Sequence, residues 1–81
     1  MTRVTLYGKA GCCLCDEARA VIEVVATTHA FELEEVDVSV DPGLHRRYGE
    51  RIPVVAVAGE EAFEYHVDPG ALRGLLDRVA P

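Results

Sequence analysis

Arg3-Val4-Thr5-Leu6-Tyr7-Gly8-Lys9-Ala10-Gly11-Cys12-Cys13-Leu14-Cys15-Asp16 is the stretch whose reading decides the fold. Arg3 to Tyr7 alternates and is rich in β-formers, so it reads as a strand. Gly8 to Gly11 reads as a loop. From Cys13 to about Thr28, Leu14, Ala18, Val21, Ile22 and Val25 recur at helical spacing, while Asp16, Glu17, Arg19 and Glu23 stay polar. The Cys12-x-x-Cys15 pair therefore falls at a strand-to-helix turn, the placement of a dithiol–disulfide redox site. A helix start offers unpaired N–H groups and the positive end of the helix dipole, and both favour a thiolate.

Working outward, Phe31 to Val38 reads as a second strand. Its apolar phase shifts near Glu35, where Val36 and Val38 become the apolar pair, which predicts an end or a bulge there. Asp41-Pro42 marks a second helix by an N-cap acid and a proline at the first turn. Leu44 and Tyr48 share a face of it, and Gly49 ends it. After Ile52-Pro53, Val54 to Val57 is a buried-looking strand. Gly59-Glu60 is placed to turn it into a hairpin with Ala62-Phe63-Glu64-Tyr65. Asp68-Pro69 repeats the capping device, and Leu72, Leu75, Leu76 and Val79 form the stripe of a third helix. The order is β-α-β-α-β-β-α. One mixed four-stranded sheet flanked by three helices, an α/β architecture, accounts for every element, with the first two strands parallel and the last two antiparallel.

The bulk numbers narrow the class. The 81 residues read as one domain, 1–81, with 49% hydrophobic and 27% charged residues. No apolar run reaches the roughly 20 residues of a membrane span, and Met1-Thr2-Arg3 leads straight into the first strand. A cytoplasmic location is the expectation, with no membrane partner. Three cysteines within four residues then point to reactivity or metal and not to a staple. A net charge of −6 argues against a nucleic-acid partner. Half of the eight cations nevertheless fall in two short stretches, Lys9 and Arg46, Arg47 and Arg51.

The segment from Tyr7 to Asp16, together with Arg51-Ile52-Pro53 and the element order, resembles the thioredoxin fold, and more closely its short glutaredoxin-like form. The vicinal cysteines and the Arg51-Ile52-Pro53-Val54-Val55 run look like the bacterial glutaredoxin-like family of the DUF836 type. The resemblance spans essentially the whole chain. It implies a thiol–disulfide oxidoreductase in which Cys12 attacks and Cys15 resolves. It further implies that Lys9 meets the carboxylate of a glutathione-like ligand. By the same resemblance Ile52, preceding a cis Pro53, would pair its backbone with an extended substrate. Arg46, Arg47 or Arg51 would supply a second anion contact. Glutaredoxins close the glutathione pocket with a Gly-Gly pair and an Asp. Here the stretch is Tyr65-His66-Val67-Asp68, so Asp68 is the candidate acid as well as the cap of the third helix.

The resemblance implies no permanently bound cofactor, with glutathione or another low-molecular-weight thiol as co-substrate. The expected partners are a protein or small-molecule disulfide and a reductase, acting on a monomer. The alternative from another class is a non-catalytic adaptor, or a metal or iron–sulfur carrier using the same cysteines. Against a zinc site within one chain, the cysteines crowd one loop and His29, His45 and His66 lie far off in sequence. Cys13 reads first as a small residue at a helix start, and otherwise as a third thiol that diverts the pairing. Tyr7 and Tyr48 read as half-buried packing residues. Glu32, Glu34 and Glu35 read as a solvated edge.

Overall fold

The computed structural model describes residues 1–79. Its elements are β1 (Arg3–Gly8), α1 (Cys13–Ala26), β2 (Glu32–Asp37), a 3₁₀ turn at Val38–Val40, α2 (Pro42–Tyr48), β3 (Val54–Val57), β4 (Glu60–Glu64) and α3 (Pro69–Val79). The strands form one sheet in the order β2-β1-β3-β4. β1 runs parallel to β2 and antiparallel to β3, and β3 is antiparallel to β4. The expected order and mixed sheet are therefore present. No helix among the described residues is long and apolar enough to cross a membrane.

Alternation along the central strands divides the apolar residues between two cores. Val4 and Leu6 of β1, with Val55 and Val57 of β3, meet Ala18, Ile22 and Val25 of α1 and Leu72 and Leu76 of α3. The opposite parity supplies a second cluster. There Val54 and Ile52 join Val38, Tyr48 and Cys15, with Tyr7, Leu44 and Cys12 packed against them. Each large aliphatic side chain fully removed from water contributes about 1.5–3 kcal/mol, so the main core carries most of the packing free energy.

Local chemistry sets the element ends. Asp41 Oδ1 accepts the N–H groups of Gly43 and Leu44 at 2.7 and 3.3 Å, with proline at the first turn of α2. The Asp68 carbonyl accepts the Leu72 N–H at 2.9 Å and its carboxylate accepts the Gly70 N–H at 3.3 Å, which starts α3. His29, in the connection after α1, joins Asp77 of α3 through Nε2 at 3.0 Å.

Three details differ from the expectation. β2 neither ends nor bulges near Glu35. Its register with β1 is unbroken from Arg3 opposite Glu32 to Gly8 opposite Asp37. As an outer strand its side chains are mostly exposed, so the phase of its apolar residues is not enforced by a core. The irregularity lies instead in β4, opposite Val55 and Ala56. The hairpin turns at Ala58-Gly59 and not at Gly59-Glu60. Both residues have positive φ, 53° and 86°, the combination that suits the twist of a two-residue hairpin. β4 therefore begins at Glu60, and Tyr65 leaves it with φ 65°.

Candidate active site

β1 ends at Gly8, and α1 begins five residues later over the end of the sheet. Cys12 is the N-cap of α1 in an extended conformation, and its Sγ accepts the Cys15 N–H at 3.2 Å. Its carbonyl accepts the Asp16 N–H at 3.1 Å, the first turn of the helix. A sulfur in a cap position thus takes the place of the usual oxygen acceptor. Cys12 is partly exposed, Cys13 is exposed and Cys15 is buried, and all three are free thiols.

Cys15 is only 1% exposed. Burial pushes its thiol up to about 11. The hydrogen bond with Cys12 adds to that shift, and the Lys9 backbone N–H works against it. Gly8 makes the room. A Cβ built on Gly8 would stand 2.8 Å from Cys15 Sγ, so any side chain at the end of β1 would collide with this sulfur. The two sulfurs are thereby differentiated: one at the mouth of the helix with a donor aimed at it, the other sheltered and protonated.

The residue before the proline reaches the same end of the sheet from β3, whose first residue, Val54, lies opposite Tyr7. The Ile52–Pro53 peptide is cis, as expected. Ile52 is 9% exposed and shares the cluster of Cys15, with Cys12 packed against it. Tyr7 stacks on Tyr48 with ring centroids 4.2 Å apart and planes 18° from parallel. Tyr48 is buried and not half-buried as expected, because it closes the floor of this cluster.

The remaining expected site residues are more dispersed. Lys9 is exposed at the rim of a cleft of about 280 Å³ that has Leu6, Gly8 and Cys15 along its wall, with Arg19 and Asp37 also lining it. Arg19 spans from α1 to β2 by donating to both: Nε to Glu35 Oε1 at 2.6 Å and Nη1 to Asp16 Oδ1 at 3.0 Å. Asp37 accepts the Ser39 hydroxyl and N–H, and these bonds hold its carboxyl below the usual range. Arg51 is engaged with carboxylates of β4, donating from Nη1 to Glu61 and Glu64 at 2.9 Å each. Asp68 is exposed at the start of α3. Sequence reasoning brought Cys12, Cys15, Ile52 and Pro53 together. It passed over Gly8, Arg19, Glu35 and Asp37. Gly8 carried a usable signal, a glycine closing a strand just ahead of the cysteines. The others carried none, since an ion pair between α1 and β2 is a product of the folded register.

A buried thiol beside a capping thiol, at the end of a four-stranded mixed sheet, defines a thioredoxin-fold protein with a dithiol site. The chain belongs to the glutaredoxin-like domain family (DUF836), whose pattern matches residues 3–77. An uncharacterised protein of Mycobacterium tuberculosis is 31% identical, over 94% of this chain and 84% of that protein. The solution structure of protein Ne2328 from Nitrosomonas europaea superposes with a TM-score of 0.82 at 30% identity, covering 93% of this chain and 91% of that one. The X-ray structure of protein XcR50 from X. campestris gives 0.73 at 35% identity, over 96% and 99%. A thioredoxin from Halobacterium salinarum, at 22% identity, shares the fold with a TM-score of 0.72, over 99% of this chain and 75% of that one.

Proposed function

We propose that this protein is a thiol–disulfide oxidoreductase that works by dithiol exchange. The observation that carries the reading is the asymmetry of the two sulfurs: Cys12 at the helix cap with the Cys15 N–H at 3.2 Å, and Cys15 buried against Gly8 with its thiol held protonated to about 11. Exchange needs one sulfur that meets the substrate and a second that stays out of reach until a mixed disulfide forms.

The Cys12 thiolate attacks one sulfur of a substrate disulfide. The substrate S–S bond breaks, the Cys12–substrate bond forms, and the first substrate thiolate leaves. Cys15 then gives up its proton, to the first substrate thiolate or to water, and attacks Cys12 Sγ. The Cys12–Cys15 disulfide forms as the second substrate thiolate leaves. The protein dithiol is oxidised by two electrons and the substrate disulfide is reduced. Ile52, beside the cysteines, offers its backbone to an extended substrate, and Lys9 offers a cation to a carboxylate. The substrate is a protein or small-molecule disulfide met by the monomer in the cytoplasm. Glutathione, another low-molecular-weight thiol or a reductase returns the dithiol. A glycine-free Tyr65-His66-Val67-Asp68 segment favours the thiols that need no backbone-lined pocket after the last strand.

Redox titration with alkylation and mass measurement tests the reading. Cys12 and Cys15 are expected to pair reversibly in a glutathione buffer, leaving Cys13 open to alkylation. Cys15→Ser is expected to accumulate a mixed disulfide on Cys12. Pairing through Cys13 instead, or no pairing short of harsh oxidant, would overturn dithiol exchange by this pair.

A further inference from the structure

We propose that Arg51 is a positioning residue: braced by Glu61 and Glu64, it fixes the backbone of Ile52 for an extended substrate and does not bind a substrate anion. The inference rests on the dithiol-exchange reading and concerns how that site holds its substrate.

Four of the five N–H groups of the guanidinium are already engaged. Nη1 donates to Glu61 and to Glu64 at 2.9 Å each, while Nε and Nη2 donate to the Arg47 carbonyl at 3.2 and 3.1 Å. Its carbon lies 5.4 Å from the centre of the Tyr48 ring, and that of Arg47 lies 5.3 Å from the same ring. Arg47 also reaches Glu61 at 3.7 Å. Two cations and two carboxylates thus share one patch, and an arriving anion meets no excess of positive charge there. A guanidinium spent in this way is a bracket between α2, β4 and the aromatic floor of the site.

What it brackets is the segment carrying Ile52. The Arg51 N–H donates to the Tyr48 carbonyl at 2.8 Å. The Glu50 carbonyl accepts the Tyr65 hydroxyl at 3.0 Å, and the Pro53 carbonyl accepts the Tyr65 N–H at 2.8 Å. The Glu50–Arg51 and Pro53–Val54 peptides, one step out from Ile52 on either side, are therefore tied. Among the described residues, no backbone hydrogen bond of the loops and turns uses the Ile52 N–H or carbonyl. A peptide edge with its flanks clamped and its own groups free is arranged to receive another strand. Tyr65 makes its two clamps from φ 65°, a left-handed conformation that is strained for a non-glycine residue. Holding the edge in advance spares the substrate complex the entropy of ordering it.

The test uses two uncharged disulfides and the reduced protein. One is a blocked, neutral peptide carrying its cysteine as a mixed disulfide with 4-thiopyridine. The other is 4,4′-dithiodipyridine, which has no peptide backbone. Thiopyridone release is followed by absorbance. Arg51→Gln, and separately the double variant Glu61→Gln with Glu64→Gln, are each expected to raise the half-saturating peptide concentration about tenfold. The double variant is expected to react with dithiodipyridine within about twofold of the unaltered protein. It preserves side-chain size and keeps the test independent of whether Arg51→Gln folds. An anion-binding Arg51 predicts the opposite: freeing the guanidinium in the double variant would leave peptide binding unchanged or tighten it, and that result overturns the proposal. If the unaltered protein releases thiopyridone from neither disulfide, the dithiol-exchange reading itself falls, a separate and recognisable outcome.

Discussion

Cys15 fills the space that any side chain on Gly8 would need, and this one contact links the strand to the chemistry. Adding a methyl group at Gly8 places carbon 2.8 Å from sulfur, and Cys15 is too deeply buried to move aside freely. Gly8→Ala is therefore expected to destabilise the reduced protein by about 1–3 kcal/mol, measured by urea unfolding. The same variant is expected to slow the attack of Cys15 on Cys12, seen as a mixed disulfide that persists in a single turnover. An unchanged urea midpoint would show that the sulfur has another rotamer open to it. A glycine closing a strand just ahead of the cysteines is the one sign of this contact in the sequence, and it does not say which side chain takes the space. The cysteine spacing and the strand-to-helix placement were legible from the sequence because both are local, whereas the approach of residue 8 to residue 15 depends on how α1 lies over the end of β1.

The β3–β4 hairpin is the element that carries the brace on Ile52, and its turn contains a small inconsistency. Ala58 sits at φ 53°, where glycine pays no steric penalty and alanine does. Ala58→Gly is expected to raise stability by up to about 1 kcal/mol, the steric relief exceeding the added entropy of the unfolded chain. A shift of the urea midpoint upward with an unchanged slope would confirm it, and a downward shift would count against the turn geometry. The misreading of this hairpin has a definite cause. Gly59 marked a turn, yet a glycine serves equally as either central residue, and Ala58 gave no sign of its positive φ. The β2 misreading has another cause. Apolar phase reports burial, and an outer strand with one side open to water is not obliged to keep it.

At the scale of the whole molecule, the placement of a buried thiol makes stability depend on pH. In the unfolded chain Cys15 ionises around its ordinary value of 9.0, whereas in the folded protein it keeps its proton up to about 11. Between those values the folded state binds more protons than the unfolded state, so stability falls as pH rises. The contribution is fully present below the lower value. Tyr7, also raised by burial, acts in the same direction at higher pH. Urea midpoints measured on reduced protein across this range are expected to decline more steeply for the unaltered chain than for Cys15→Ser. Parallel curves would mean that the sulfur ionises as freely in the fold as out of it.

The amino-acid sequence by itself determined the element order, the α/β class and the position of Cys12 and Cys15 at the start of α1. These follow from periodicity, capping residues and spacing, which are short-range properties of the chain. Only the tertiary structure decided that Gly8 makes the room for the Cys15 sulfur, that Tyr7 and Tyr48 stack beneath the site, that Arg19 joins α1 to β2, and that Arg51 is engaged by Glu61 and Glu64. Each of those depends on side chains brought together by the strand order β2-β1-β3-β4. Burial, ion pairing and thiol ionisation are properties of neighbours in space, and the fold chooses the neighbours.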